Sequence, residues 1–205
     1  MEKLDLKKQW KEFYSPKKTK LVHVEVPEFN FLMIDAQDAR TEGPTFQDAI
    51  GALFSLAYKI KFFSKGELGK DFGVMPLEGL WWADDMDAFI SGDKEQWKYT
   101  LMIHQPDWIT PSILQAMVEK AQVKDDNPFL THARIESYKE GSSVQTLYIG
   151  PFSDEGPTIA AIKDEIHDAG FTFDGQVQKH HEIYLSDFRR TAPEKLRTIL
   201  RQSYV

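Results

Sequence analysis

Apolar and polar positions alternate along LVHVEV (21–26), which predicts a strand broken at Pro27, and the apolar run NFLMIDA (30–36) reads as a second strand. The period then changes. Phe46, Ile50, Leu53, Phe54, Ala57 and Ile60 recur at helical spacing as far as Phe63, with Thr41 as N-cap, Pro44 in the first turn and Gly66 and Gly69 as stops. FGVMPLEGLWW (72–82) reads as a strand interrupted at Pro76, DDMDAFISGDKEQ as an acidic connection, and WKYTLMIH (97–104) as a further strand hairpin-paired with it. Thr110-Pro111 opens a helix to about Val123, and KDDNP (124–128) is a polar linker. Beyond it, HARIESYK (132–139) and VQTLYIG (144–150) read as strands joined by EGSS, followed by a helix from about Asp154 to Ala169, a strand KHHEIYLSD (179–187) and a C-terminal helix TAPEKLRTIL (191–200). Residues 4–13 read as a short amphipathic helix ended by Ser15-Pro16.

One four-residue phrase organises this list. EGPT stands at 42–45 and again at 155–158, each time between a strand (NFLMID, TLYIG) and a helix. A strand precedes each of those strands, and a strand bearing a glutamate near its start follows each helix: LEGLWW and HHEIYLS. The order strand–strand–helix–strand therefore occurs twice, which predicts a duplicated α+β domain with an antiparallel sheet and helices on one face. The halves are expected at 20–123 and 130–205 within one domain spanning 1–205. Glu42 and Glu155 read as acids placed at helix N-termini, where the macrodipole favours negative charge.

Composition narrows the functional classes. The chain of 205 residues carries a net charge of −7, which argues against a broad nucleic-acid surface. It has no cysteine, so disulfides, thiolate catalysis and cysteine-ligated zinc are excluded. No apolar run reaches the length of a membrane span and the N-terminus lacks a signal core, so a soluble cytoplasmic protein without membrane partners is expected. There is no GxSxG, P-loop or GxGxxG motif, and no cofactor is implied. His180, His181 and Glu182 look like a metal cluster, but successive strand residues point to opposite faces, so no metal site is assigned.

The candidate chemistry lies on the strand faces. Leu32 and Ile34, with Leu147 and Ile149, are expected to face the helices, leaving Met33 and Tyr148 as equivalents on the other side. Ile183 and Leu185 would share the helix side, and His180, Glu182, Tyr184 and Ser186 the other, with Glu78, Leu80 and Trp82 as the corresponding set in the first half. Trp81 then alternates away; which of Trp81 and Trp82 lines a site stays open. Two glutamates among aromatic groups suit a flat organic ligand with a positive or polarised centre, and carboxyls in such surroundings can do acid–base work.

At this point the sequence resembles a known family. NFLMIDA, LFSLAYKIKF, VMPLEGLWW, TLMIHQPD, YIGPFSDEGPT and above all KHHEIYLSDFRRTAPEKLRTILRQ look like the GyrI-like small-molecule-binding proteins, over nearly the whole chain. The resemblance implies two strand–helix–strand–strand units of the SHS2 type, a concave sheet surface with helices behind it, and a ligand cleft between the units. Glu182 matches the acidic position that meets cationic drugs in multidrug-sensing members. The pattern is similar to a stand-alone subgroup that includes hydrolases of cyclopropane-bearing DNA-alkylating compounds, which hold their substrate in an aromatic cage. That likeness implies a cage of Trp81 or Trp82 with Tyr148, Tyr184 and Met33, and catalytic work by Glu182 and Tyr184, with Glu78 open to either role. The chain departs from the pattern at Phe152, where tyrosine is common, at Phe188, where proline is expected, and in its RQSYV end. The rival readings are a non-catalytic small-molecule binder and a gyrase-inhibitor-like interaction protein; the oligomeric state is not legible.

Overall fold

The computed structural model describes residues 2–18, 20–40, 43–84 and 93–205. In chain order the elements are β1 (Lys3–Leu4), α1 (Leu6–Gln9), α2 (Lys11–Tyr14), β2 (Val22–Gln37), α3 (Pro44–Glu67), β3 (Asp71–Phe72), β4 (Leu77–Trp82), β5 (Lys98–Gln105), α4 (Pro111–Gln122), β6 (Arg134–Ile149), α5 (Gly156–Asp168), β7 (His180–Tyr184) and β8 (Arg197–Ser203). The duplication is visible in them. A 16-residue strand leads to a helix and two further strands in each half: β2–α3–β4–β5 and β6–α5–β7–β8. Among the described residues no helix is long and apolar enough to cross a membrane.

The chain divides into two compact units, one of residues 1–9, 29–75 and 83–138, the other of 10–28, 76–82 and 139–205. In the first unit β2 pairs antiparallel with β5, Leu32 opposite Ile103 and Ile34 opposite Leu101. Phe46 of α3 meets Tyr99 of β5 edge-on at 5.4 Å, so the face carrying Tyr99, Leu101, Leu32 and Ile34 is the one that α3 covers, as alternation predicts. Ala49, Leu53, Leu56, Ala57 and Ile60 of α3 are buried, the stripe expected of an amphipathic helix. Helix α4 begins as the sequence indicates, with the Thr110 hydroxyl accepting from the amide of Ile113. Gly43 stands at the N-cap position of α3; Thr41, the expected cap, and Glu42 lie outside the described residues, as do residues 85–92 of the acidic connection.

In the second unit the strands follow the order β4–β7–β8–β6, all antiparallel. Three expectations are corrected. Pro27 does not break the first strand, because β2 runs through it, and Gly141, at φ 75°, lets β6 continue where a turn at EGSS was expected. The TAPEKLRTIL segment is not a helix. Its capping signature closes only a 3₁₀ turn at Pro193–Lys195, and the next residues form β8 between β6 and β7. Ile199 and Leu200 are both fully buried, one on each face of the sheet, and adjacent apolar residues of that kind do not distinguish strand from helix.

A fourth correction concerns the faces. Ile162 and Ile166 of α5 pack with Val144 and Leu200, with Tyr148 against the same cluster. Strand pairing puts Leu200 opposite both Thr146 and Glu182, and Thr198 opposite both Tyr148 and Tyr184. The side of this sheet that α5 covers therefore carries Tyr148, Glu182 and Tyr184, while Leu147 and Ile183 lie on the reverse. Both faces are buried, so alternation alone could not say which one the helix would cover.

Candidate functional site

The register of β4 against β7 decides which groups meet. Gly79 stands opposite Glu182, Leu77 opposite Tyr184 and Trp81 opposite His180. Directly opposed residues share a face, so Trp81 joins Glu182 and Tyr184, whereas Glu78 and Trp82 lie on the reverse with His181. Glu78 and Glu182, expected on one face, are thus separated by the sheet.

On the α5 side the Trp81 indole Nε1 donates to the Tyr184 hydroxyl at 3.2 Å, and that hydroxyl donates to Glu182 Oε2 at 2.7 Å. Gly79 makes the first contact possible. A Cβ at position 79 would come within 2.9 Å of Trp81 Nε1, so the indole occupies space that only glycine leaves free. Tyr184 is only 8% exposed, and burial together with the charge of Glu182 holds its hydroxyl well above the ordinary tyrosine range. Its ring is met edge-on by Phe152 at 5.8 Å and Phe188 at 5.9 Å, which in turn meet each other at 6.0 Å. Phe152 and Phe188, two of the residues at which the sequence departs from the pattern it resembles, therefore wall the same tyrosine. His180 Nε2 lies 3.4 Å from Glu182 Oε1, outside hydrogen-bond geometry; both ring nitrogens are buried without a hydrogen-bond partner.

Glu155 enters the same region from the start of α5. It is 4% exposed and its Oε1 has no hydrogen-bond partner. Burial, reinforced by the charge of Glu182, pushes its carboxyl up to about 9 against the opposing hydrogen bond with Thr198. Its place at a helix start predicts an acid that simply favours the helix N-terminus. A macrodipole contributes only about 0.3–1 kcal/mol, while withdrawing a carboxylate from water costs several, so burial wins. Tyr148 lies on this face too, its hydroxyl donating to the Pro151 carbonyl at 3.0 Å. Burial, with the charges of Asp154 and Glu155, raises it above the usual tyrosine range.

The reverse face holds a different assembly. Glu78, fully buried, accepts from Tyr14 at 2.9 Å and from His181 Nε2 at 3.0 Å. His181 Nδ1 reaches Glu140 at 3.0 Å, and Arg201 donates to Glu140 at 2.8 Å, to Gln145 at 2.9 Å and to the Phe13 carbonyl at 2.8 Å. Burial opposes the charge on His181, but Glu140 and Glu78 outweigh it and lift the imidazole to about 9. Burial likewise opposes ionisation of Glu140, which His181 and Arg201 nevertheless hold down at about 2. The result is two anions and two cations in a closed hydrogen-bonded array, the arrangement a buried charge requires. Trp82 is half-buried, with Lys179 Nζ 3.7 Å from its ring centroid, a cation–π contact. Met33 belongs to the first unit, where it is buried with its sulfur 3.6 Å from the Arg134 guanidinium.

No protein-family model matches the sequence, and no curated protein does. Solved structures do match. An uncharacterized conserved protein from Listeria innocua is 38% identical with a TM-score of 0.91, covering 99% of this chain and 100% of its own. A hydrolase from Listeria innocua is 36% identical with a TM-score of 0.87 and the same coverage. The C-terminal domain of EcmrR, 8% identical, covers 91% of this chain and 97% of its own with a TM-score of 0.58, a likeness of fold alone.

Proposed function

The chain belongs to the family of these two Listeria innocua proteins, one of them a hydrolase, and on that premise we propose that it binds planar aromatic or cationic xenobiotics and hydrolyses the cyclopropane ring of cyclopropane-bearing DNA-alkylating compounds. The observation that carries this reading is the hydrogen-bonded series Trp81–Tyr184–Glu182 within an aromatic wall. It offers a held carboxylate beside flat apolar surfaces, the combination a planar electrophile needs.

In the substrates of this proposal the strained ring is conjugated to a carbonyl. Glu182 takes a proton from water as the water oxygen bonds to the ring CH₂. The ring C–C bond breaks, its electron pair flows to the carbonyl oxygen, and the product becomes an aromatic phenol. Aromatisation and relief of strain drive the reaction, so the protein's tasks are to orient the ligand, activate water and stabilise the oxyanion. Tyr184 keeps Glu182 in position; because its proton is engaged with that carboxylate, the phenolate draws its own proton from another group. Tyr148 and Trp81 supply ring surface for the ligand.

A binding protein without turnover is the second reading, favoured by the fact that Glu182 already accepts a hydrogen bond from Tyr184, a suitable state for a charge that pairs with a ligand cation. Incubation with a cyclopropane-bearing alkylator separates the two by mass spectrometry. The hydrolase yields the water adduct catalytically; stoichiometric binding without adduct leaves only the binder. Glu182→Gln should abolish turnover while keeping much of the affinity.

A further inference from the structure

We propose that Glu155 is a second catalytic carboxyl of this site: it stays protonated in the resting protein and delivers that proton to the oxyanion that forms when Glu182 activates water. This rests on the hydrolase reading above. The assignment follows from how differently the two glutamates are housed. Glu182 already has a donor, receiving the Tyr184 hydroxyl at 2.7 Å. Glu155 has an oxygen buried without any partner, and an ionised carboxylate in that condition would be costly. A carboxylic acid O–H awaiting an acceptor fits; the missing acceptor is the one a bound substrate oxygen would provide.

Glu182 of β7 and Thr198 of β8 act on Glu155, and Glu155 in turn acts on Tyr184 of β7 and Tyr148 of β6. One of these four is an anion that disfavours a second negative charge, and three are hydroxyls. A buried carboxyl that keeps its proton beside a second carboxyl can divide acid and base work with it. The proton count closes. Water gives one proton to Glu182, Glu155 gives one to the phenolate, and transfer from Glu182 back to Glu155 resets the pair, the net change being addition of water.

Glu155→Gln is the test, because it keeps the shape and neutrality of the resting group and removes only the transferable proton. Turnover of the cyclopropane-bearing alkylator should fall about a hundred- to ten-thousand-fold, with ligand affinity little changed. In the wild-type protein kcat should decline as pH rises through about 9, and that decline should be missing from the residual activity of the variant. His181 on the reverse face titrates in the same range, so an alkaline limb that persists in Glu155→Gln belongs to His181 and overturns the proposal. Turnover at the wild-type rate in Glu155→Gln overturns it too and leaves the hydrolase reading standing. Absence of adduct from the wild-type protein sinks both. Should the variant misfold, the wild-type pH profile decides alone: a kcat flat beyond pH 9 overturns the proposal.

Discussion

The Trp81 indole lies over Gly79 so closely that a Cβ there would meet it at 2.9 Å. Gly79→Ala must therefore push the indole aside and pull its N–H from the Tyr184 hydroxyl. Overpacking of this kind costs about 1–3 kcal/mol. The variant should melt earlier, show altered tryptophan fluorescence and bind planar ligands more weakly. An unchanged emission spectrum with unchanged affinity would show that the site does not depend on this indole.

The array around His181 sets a pH window for stability. His181 is raised in the folded state from 6.5 to about 9, so its contribution is complete below about 6.5 and disappears as pH climbs through 9. Glu140 is lowered from 4.5 to about 2, so its contribution holds above about 4.5 and fails as pH drops through 2. Thermal melts should show this array at full strength between those limits. His181→Gln leaves buried Glu78 without a cationic partner, while Glu140 keeps Arg201, and should cost about 3–5 kcal/mol. Its melting temperature should also lose the part of the alkaline decline that His181 causes.

Glu155 works in the opposite sense to a stabilising carboxylate. Its folded value of about 9 stands above the ordinary 4.5, so the native protein holds a proton that the unfolded chain releases, and stability falls as pH rises between those values. Glu155→Gln removes that penalty. It should stabilise the protein at neutral pH by on the order of 1–3 kcal/mol, even as it lowers turnover, the trade expected where function requires an ill-placed acid. Denaturant unfolding at pH 7 reads the effect directly; a destabilised variant would count against a protonated resting state.

Phe152 and Phe188 both meet the Tyr184 ring edge-on, and Phe152 is 37% exposed. Edge-to-face pairs contribute about 0.5–1.5 kcal/mol beyond burial. Replacing either by alanine should weaken binding of planar ligands about two- to twelvefold. Because the two rings also touch each other, the double variant should lose less than the sum. Isothermal titration of the three variants tests the coupling, and strict additivity would show that the rings act independently.

Much of the local architecture was legible in the chain. Thr110-Pro111 announced α4 because a cap and a first-turn proline act within a few residues. The second EGPT likewise marked the start of α5, but not the environment its glutamate would occupy. The C-terminal segment misled for a physical reason: Thr191 and Pro193 suit a helix start, yet pairing with β6 and β7 gives residues 197–203 more than a short isolated helix could. The pattern matches Met33 with Tyr148, but Leu32 and Ile34 face α3 while Leu147 faces away from α5.

By itself the sequence determined that His180, Glu182 and Tyr184 share one side of a strand, since alternation is a property of a single extended backbone. It could not determine which tryptophan joins them. That depends on the pairing of β4 with β7, where a one-residue slip would exchange Trp81 for Trp82 and Gly79 for Leu80. Nor could it reveal that Glu155 is buried beside Glu182, because burial is conferred by whatever packs above a residue. The strand pattern fixed the directions of the side chains; tertiary pairing and the seating of α5 on the sheet decided which of them meet and which carboxyl keeps its proton.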